Sequence, residues 1–338
     1  MKVYETKDIR NIALIGGAKS GKTTMAEAMV FEGKIISRRG SVDDKNTVSD
    51  YRAIELDRQH SVHSSLLYTI YNNKKINMLD VPGFSDFVGD TAASLSVCDT
   101  AMFMINAQSG VEATTETAWK QTEIYNSPTF FVVNQLDHQG ANFNETVTAL
   151  KDYFGDKVTV VQYPVNIGEG FNTIIDLILM KQLKYNDEGG EPEISDIPDS
   201  EKDKADELHL TLVENAAEGD EELMEKYFEN DTLTLEEMRE GVRLGLISRS
   251  IFPVMCSSAK HGIGATRVMD FITNSCPSPI DMPETKTTDG KAYTYSPDEP
   301  TGLFVFKTSV EQHLGEVSFF KVFGGHVTPI TRSWNVFF

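Results

Sequence analysis

No run of about eighteen apolar residues occurs in this 338-residue chain, so no helix is expected to cross a membrane. The N-terminal segment MKVYETKDIR has no apolar signal stretch either. Cysteine is scarce. Cys98, Cys256 and Cys276 are widely spaced without metal-like pairing, and they read as reduced residues of a cytoplasmic protein. Basic residues are outnumbered, with 31 Lys and Arg against 51 Asp and Glu, a net charge of -20. That balance argues against broad nonspecific nucleic-acid binding, which needs clustered cations, though it leaves room for a local contact with RNA. Acidic density peaks between Tyr185 and Glu240, where it reads as solvated helix faces. Apolar residues make up 40% of the chain, enough to bury a core.

The buried segments alternate in type. NIALIG, residues 11–16, reads as a strand ending in Gly, and KTTMAEAMVFEG as a helix closed by Gly33. Residues 34–62 are polar and without period, the pattern of a long mobile loop. SSLLYTIYNN and KKINMLD predict two strands joined by an Asn-rich turn. TAMFMINA and PTFFVVN are continuous apolar runs, as in strands covered on both faces. Helical stretches lie near Ala92–Val97, Thr114–Tyr125 and Asn144–Tyr153, so the expected fold is a doubly wound α/β domain. Beyond VTVVQYPV, the segment FNTIIDLILMKQL reads as a helix, EGGEPEISDIPDSEKDK as a polar connection, and Lys202–Ala217, Glu221–Phe228 and Leu235–Leu244 as amphipathic helices. IFPVMCSSA returns as a buried strand, followed by the helix GATRVMDFITNSC. The expected organisation is a nucleotide-binding domain over 1–280 with a helical insert at approximately 160–250, then a linker at 281–297. TGLFVFKTSV and GEVSFFKVFGG would open an all-β barrel domain over 298–338, cut short at ITRSWNVFF.

The chemistry starts at GGAKSGKT, Gly16 to Thr23, which is G-x-x-x-x-G-K-[ST] between a strand and a helix. Backbone N–H groups of Gly16, Gly17, Ala18, Lys19, Ser20 and Gly21 are placed to cradle phosphates at a helix N-terminus, with Thr24 next in the helix. Lys22 is expected to reach the β and γ phosphates, and the Thr23 hydroxyl to bind Mg²⁺. In LDVPGFSDF, Asp80 is expected to hold Mg²⁺ through water, and Gly83 to offer its N–H to the γ phosphate. Val81, Pro82 and Phe84 complete that loop.

Base selection is written in NQLD, Asn134, Gln135, Leu136 and Asp137, close to N-K-x-D. A carboxylate at Asp137 can accept the N1–H and N2–H₂ of guanine. Adenine offers neither donor and would leave the carboxylate desolvated and unpaired. Ser258 and Ala259 of SSAK suit the loop whose backbone donor meets guanine O6. GTP is the expected nucleotide.

These motifs, in this order, resemble the GTP-binding part of translation elongation factor G. The resemblance extends to NQLDHQGANFNETV, to the stretch from EGDEELMEKYF through IFPVMCSSA, and to GEVSFFKVFGG, covering roughly residues 8–328. SVDDKNTVSD and DFVGDTAASLSVCDTAMFMINAQSGVE are similar to the elongation-factor-G-like paralogue group. The resemblance implies a cytoplasmic, Mg-GTP-dependent factor that docks at the factor site of the ribosome. It leaves open a ribosome-protection or release-type factor, and a fully active translational GTPase. It also implies that Ser61 falls on a magnesium-binding Thr and that His60 replaces an apolar gating residue. Phe84 takes the place of the water-positioning His, and Phe has no donor or acceptor, so slow hydrolysis is expected. Gly17 and Lys19 stand where the family has His and Asp. Lys19 would act either as an internal cationic finger, or in place of a bound monovalent cation, or as a solvent-facing cation. His60 would either orient water or be a plain polar residue of the loop.

Overall fold

The computed structural model describes residues 3–286, 290, 292–311 and 314–327. The expectation for the C-terminal ITRSWNVFF falls outside these residues. β1 (Ile9–Gly16) leads through the Gly-rich loop into α1 (Lys22–Glu32). The stretch read as a mobile loop contains a short helix, α2 (Ala53–Arg58). β2 (Ser65–Tyr71) and β3 (Lys74–Asp80) form a hairpin. Its turn residues Asn72 and Asn73 have φ of 48° and 60°, the left-handed pair that a two-residue turn requires. Then follow α3 (Val88–Leu95), β4 (Thr100–Asn106), α4 (Ala113–Ile124), β5 (Thr129–Asn134), α5 (Phe143–Phe154) and β6 (Val158–Val160).

β11 (Phe252–Cys256) completes the main sheet, in the order β2-β3-β1-β4-β5-β11-β6. Every pairing is parallel except β2 with β3. All six residues of β5 are buried, as are the first six of β4, which explains their unbroken apolar sequence. The parallel strands discharge their C-terminal ends along one edge, so Gly16, Asp80, Asn106, Asn134 and Cys256 all open onto the same side. This is the doubly wound α/β arrangement expected, with α9 (Ala265–Ser275) packed beside α1.

The insert is not helical throughout. It opens with an antiparallel sheet of β7 (Gln162–Pro164), β8 (Thr173–Asp176), β9 (Lys181–Asn186) and β10 (Gly189–Ser195), ordered β10-β9-β8-β7. FNTIIDLILMKQL is therefore β8, a turn and the start of β9, which corrects the helical reading. Ile174, Ile175 and Ile178 imitate a helix face, while Leu183 and Tyr185 carry the period of two that marks a strand. Three helices follow, α6 (Asp199–Ala217), α7 (Glu221–Asn230) and α8 (Leu235–Ser248). α8 opens with a capping box between Thr234 and Glu237. Among the described residues no helix is long and apolar enough to cross a membrane.

After the pairing of β12 (Thr285–Lys286) with β13 (Ala292–Tyr293), β14 (Gly302–Glu311) and β15 (Gly315–Gly324) form a long antiparallel hairpin, the strands of a barrel-like domain. Three polar fastenings tie it to the α/β domain, one of them the Lys307 ammonium of β14, which donates to the backbone oxygen of Ser64. Lys321 Nζ lies 2.7 Å from Asp99 Oδ1, with both side chains nearly buried. Burial works against the Lys321 charge, but Asp99 beside it holds the ammonium above its usual value. Asn11 donates to the other Asp99 oxygen at 2.6 Å. At the far end, Glu311 accepts from Arg52 at 2.7 Å and from the Tyr51 hydroxyl at 3.1 Å.

Candidate nucleotide site

The phosphate loop runs from Gly16 to Gly21, and Lys22, Thr23 and Thr24 begin α1. Gly21 is the N-cap of that helix at φ 91°, a left-handed conformation that strains any residue with a Cβ. The Lys22 ammonium folds back onto the loop and donates to Gly17 O at 2.8 Å and Gly16 O at 3.1 Å. Burial pushes its pKa down to about 8, against the pull of Asp80 and Asp50. Asp80 ends β3 and accepts from the Thr23 hydroxyl at 2.7 Å. Burial pushes the Asp80 carboxyl up to about 6, opposed by that hydrogen bond. Gly83 lies hard against the loop. A Cβ there would sit 2.7 Å from Gly17 O and 2.8 Å from Ala18 Cα, so only Gly permits the approach.

The base side is joined to the phosphate side by one amide. Asn134, at the end of β5, donates from Nδ2 to Ser20 O at 2.9 Å and accepts at Oδ1 from Ala259 N–H at 2.9 Å. Its side chain is buried and both bonds are shielded from water. Gln135, with φ 66°, donates to Lys19 O at 2.9 Å, a second amide that holds the base loop to the phosphate loop. Leu136 is fully buried, and the Asp137 carboxylate accepts from Ser258 Oγ at 2.6 Å. Lys19 is exposed.

The magnesium expectation meets a set of hard oxygens. Thr23 Oγ1, Asp80 Oδ2 and Ser61 Oγ form a chain, with Ser61 3.2 Å from Thr23. Asp80 Oδ1 is buried and makes no hydrogen bond. No group of three His, Cys, Asp or Glu side chains converges as a metal site among the described residues. Two hydroxyls and a carboxylate, completed by phosphate oxygens, are a donor set that suits Mg²⁺.

Sequence reading missed three acidic residues that shape this pocket. Both carboxylate oxygens of Asp50 are buried without a hydrogen bond, and burial raises its pKa. Glu27 of α1 accepts from Gly40 N–H at 2.7 Å and Val48 N–H at 3.0 Å. Glu55 of α2 accepts from Val62 N–H and His63 N–H, both at 3.1 Å, and so sets the backbone around Ser61. Glu27 and Glu55 thus act as pegs for a segment that looks unstructured by pattern. The only signal available in sequence for Glu27 was an acid set between Ala26 and Ala28 in the apolar part of a helix, and Glu55 sits among residues with no apolar period.

Residues 7–278 match the family described as the elongation factor Tu GTP binding domain. The fold is also similar to that of a crystal structure from Thermus thermophilus, with a TM-score of 0.84 and 27% sequence identity. That similarity covers 95% of this chain and 46% of the Thermus chain, so the present chain spans under half the length of that relative. The phosphate loop, the guanine-type Asn134–Asp137 segment and the match over most of the chain agree, and the chain belongs to the elongation factor Tu GTP-binding domain family of translational GTPases.

Proposed function

We propose that this protein is a GTP-dependent factor of the elongation factor G type, acting at the ribosome, with intrinsically slow GTP hydrolysis. The observation that carries the reading is the bridge through Asn134, which sets a phosphate loop and a guanine-type carboxylate in one rigid frame. Asp137 supplies the acceptor that selects guanine, and Ala259, whose N–H meets Asn134, belongs to the loop that frames guanine O6. Thr23, Ser61 and Asp80 (the last through water) are the residues that would hold Mg²⁺, with Asp50 behind them. The ion, when bound, neutralises and orients the β and γ phosphates. Lys22 exchanges its two carbonyl partners for phosphate oxygens, and Gly83 presents its N–H to the γ phosphate.

Slow turnover follows from Phe84. Its ring follows Gly83 directly and is exposed, yet it has no atom that could orient water. Ground-state binding does not use that group, so affinity is retained while the transition state loses an interaction. Titration with fluorescent GTP and ATP tests the binding half. Single-turnover hydrolysis with and without ribosomes tests the other half, and a ribosome-stimulated rate equal to that of an ordinary elongation factor G would sink the claim of slow cleavage.

A further inference from the structure

The ring of Phe84 does not stand alone. The His60 imidazole lies 4.7 Å from it, centroid to centroid, at an interplanar angle of 55°. His60 Nδ1 is 3.0 Å from the backbone oxygen of Ser61. A carbonyl oxygen can only accept, so Nδ1 carries the hydrogen and donates. In the neutral ring this leaves Nε2 with a free lone pair. Nε2 has no hydrogen-bond partner among the described residues. Both supports of the imidazole belong to the phosphate wall. Ser61, next in the chain, places its hydroxyl 3.2 Å from Thr23, and Phe84 follows the Gly83 that presses on Gly17 and Ala18.

We propose that His60 is the water-orienting group of this site, with Phe84 serving as the platform that holds its ring. The inference rests on the GTP-binding reading given above and assigns the hydrolysis that remains. Nε2 accepts a hydrogen bond from the attacking water and aligns it with the γ phosphorus. The water oxygen forms the new P–O bond while the bond from phosphorus to the β–γ bridging oxygen breaks. GDP leaves with that electron pair. The water proton passes to a γ-phosphate oxygen and leaves with the released phosphate, so GTP and water give GDP and phosphate, with any proton lost from the phosphate going to solvent. The aromatic ring at position 84, which cannot itself orient water, is on this view a packing surface for the group that does. It fixes a hydrogen-bond acceptor that approaches from the neighbouring loop.

The test is intrinsic single-turnover hydrolysis by the 338-residue chain in excess over labelled Mg-GTP, with GTP affinity measured in parallel by fluorescence. His60→Ala is expected to keep affinity within about twofold and to slow cleavage by about 10²-fold or more, the range for loss of one oriented hydrogen bond in the transition state. His60→Gln, which keeps an acceptor, is expected to retain more activity than His60→Ala. Phe84→Ala is expected to slow cleavage although the ring itself carries no polar atom. Adding Phe84→His to His60→Ala is expected to restore the rate. If His60→Ala cleaves GTP as fast as the unmodified protein, the proposal is overturned while the GTP-binding reading stands. If His60→Gln loses GTP affinity tenfold, His60 is a structural part of the pocket and the proposal is likewise overturned. Failure of the unmodified protein to bind GTP overturns the functional reading instead.

Discussion

Replacing Asn134 by Asp changes one atom and tests whether the base and phosphate loops are a single unit. The introduced carboxyl keeps an acceptor for Ala259 N–H. It loses the donor that meets Ser20 O at 2.9 Å, and when ionised it sets one oxygen against another there. A buried carbonyl left without its donor costs about 1–3 kcal/mol. Burying the new charge adds to this until the group takes up a proton instead. A total of about 2–4 kcal/mol at pH 8 is expected from these two terms. Felt entirely in binding, that is a loss of GTP affinity of roughly 30- to 1000-fold. The sign of the pH dependence follows. The introduced acid has a higher pKa folded than unfolded, so the folded state binds more protons and its stability falls as pH rises through that pKa. The protonated carboxyl can also donate to Ser20 O and remake the lost bond. The defect of Asn134→Asp should therefore be smaller at pH 5.5 than at pH 8. Urea midpoints and fluorescent GTP titrations at both values measure it. Unchanged midpoint and affinity at both pH values would refute the idea that this amide couples the two halves.

Three further outcomes follow from the same contacts. Asp137→Asn should shift preference from guanine toward xanthine nucleotides, because the amide can donate to a 2-oxo group; competition between GTP and XTP for a fluorescent analogue reads it out. Glu55→Ala frees the N–H groups of Val62 and His63, a loss of about 1–3 kcal/mol, and should show as faster proteolysis within residues 58–64 and weaker Mg²⁺-dependent GTP binding. Lys321→Met strands the nearly buried Asp99, a change worth about 3 kcal/mol, and limited proteolysis should then cut the β14–β15 hairpin faster while GTP affinity holds.

The parallel core was legible because its strands are buried on both sides. TAMFMIN and TFFVVN can be little else when turns and helices flank them. The conformation of the glycine-rich loop was equally legible, since Gly21 and Gly83 are demanded by backbone conformation and close approach, and those demands write themselves into local sequence. The antiparallel sheet of the insert was not. β8 is four residues long and its apolar positions fit two periods, so length could not arbitrate. The pegs Glu27 and Glu55 were invisible for a different reason. Their partners are backbone N–H groups 7 to 21 residues away, and backbone carries no signature in sequence. The contact between His60 and Phe84 spans two motifs, each of which by itself reads only as a departure from the expected residue.

The three fastenings of the β14–β15 hairpin differ in what they are attached to. Asp99 sits at the start of β4 beside Asn11 of β1, deep in the sheet, and is a fixed mount. Arg52 and Tyr51 belong to the segment between α1 and β2, which reaches Thr23 through Ser61. A rearrangement of that segment, which also holds Ser64 against Lys307, would loosen the grips on Glu311 and Lys307 and leave the Lys321 mount in place. The hairpin would then swing about Lys321 as a lever on a pin, with Glu311 at the free end of the arm. A small displacement at Arg52 would be delivered as a rotation of the second domain rather than as its release.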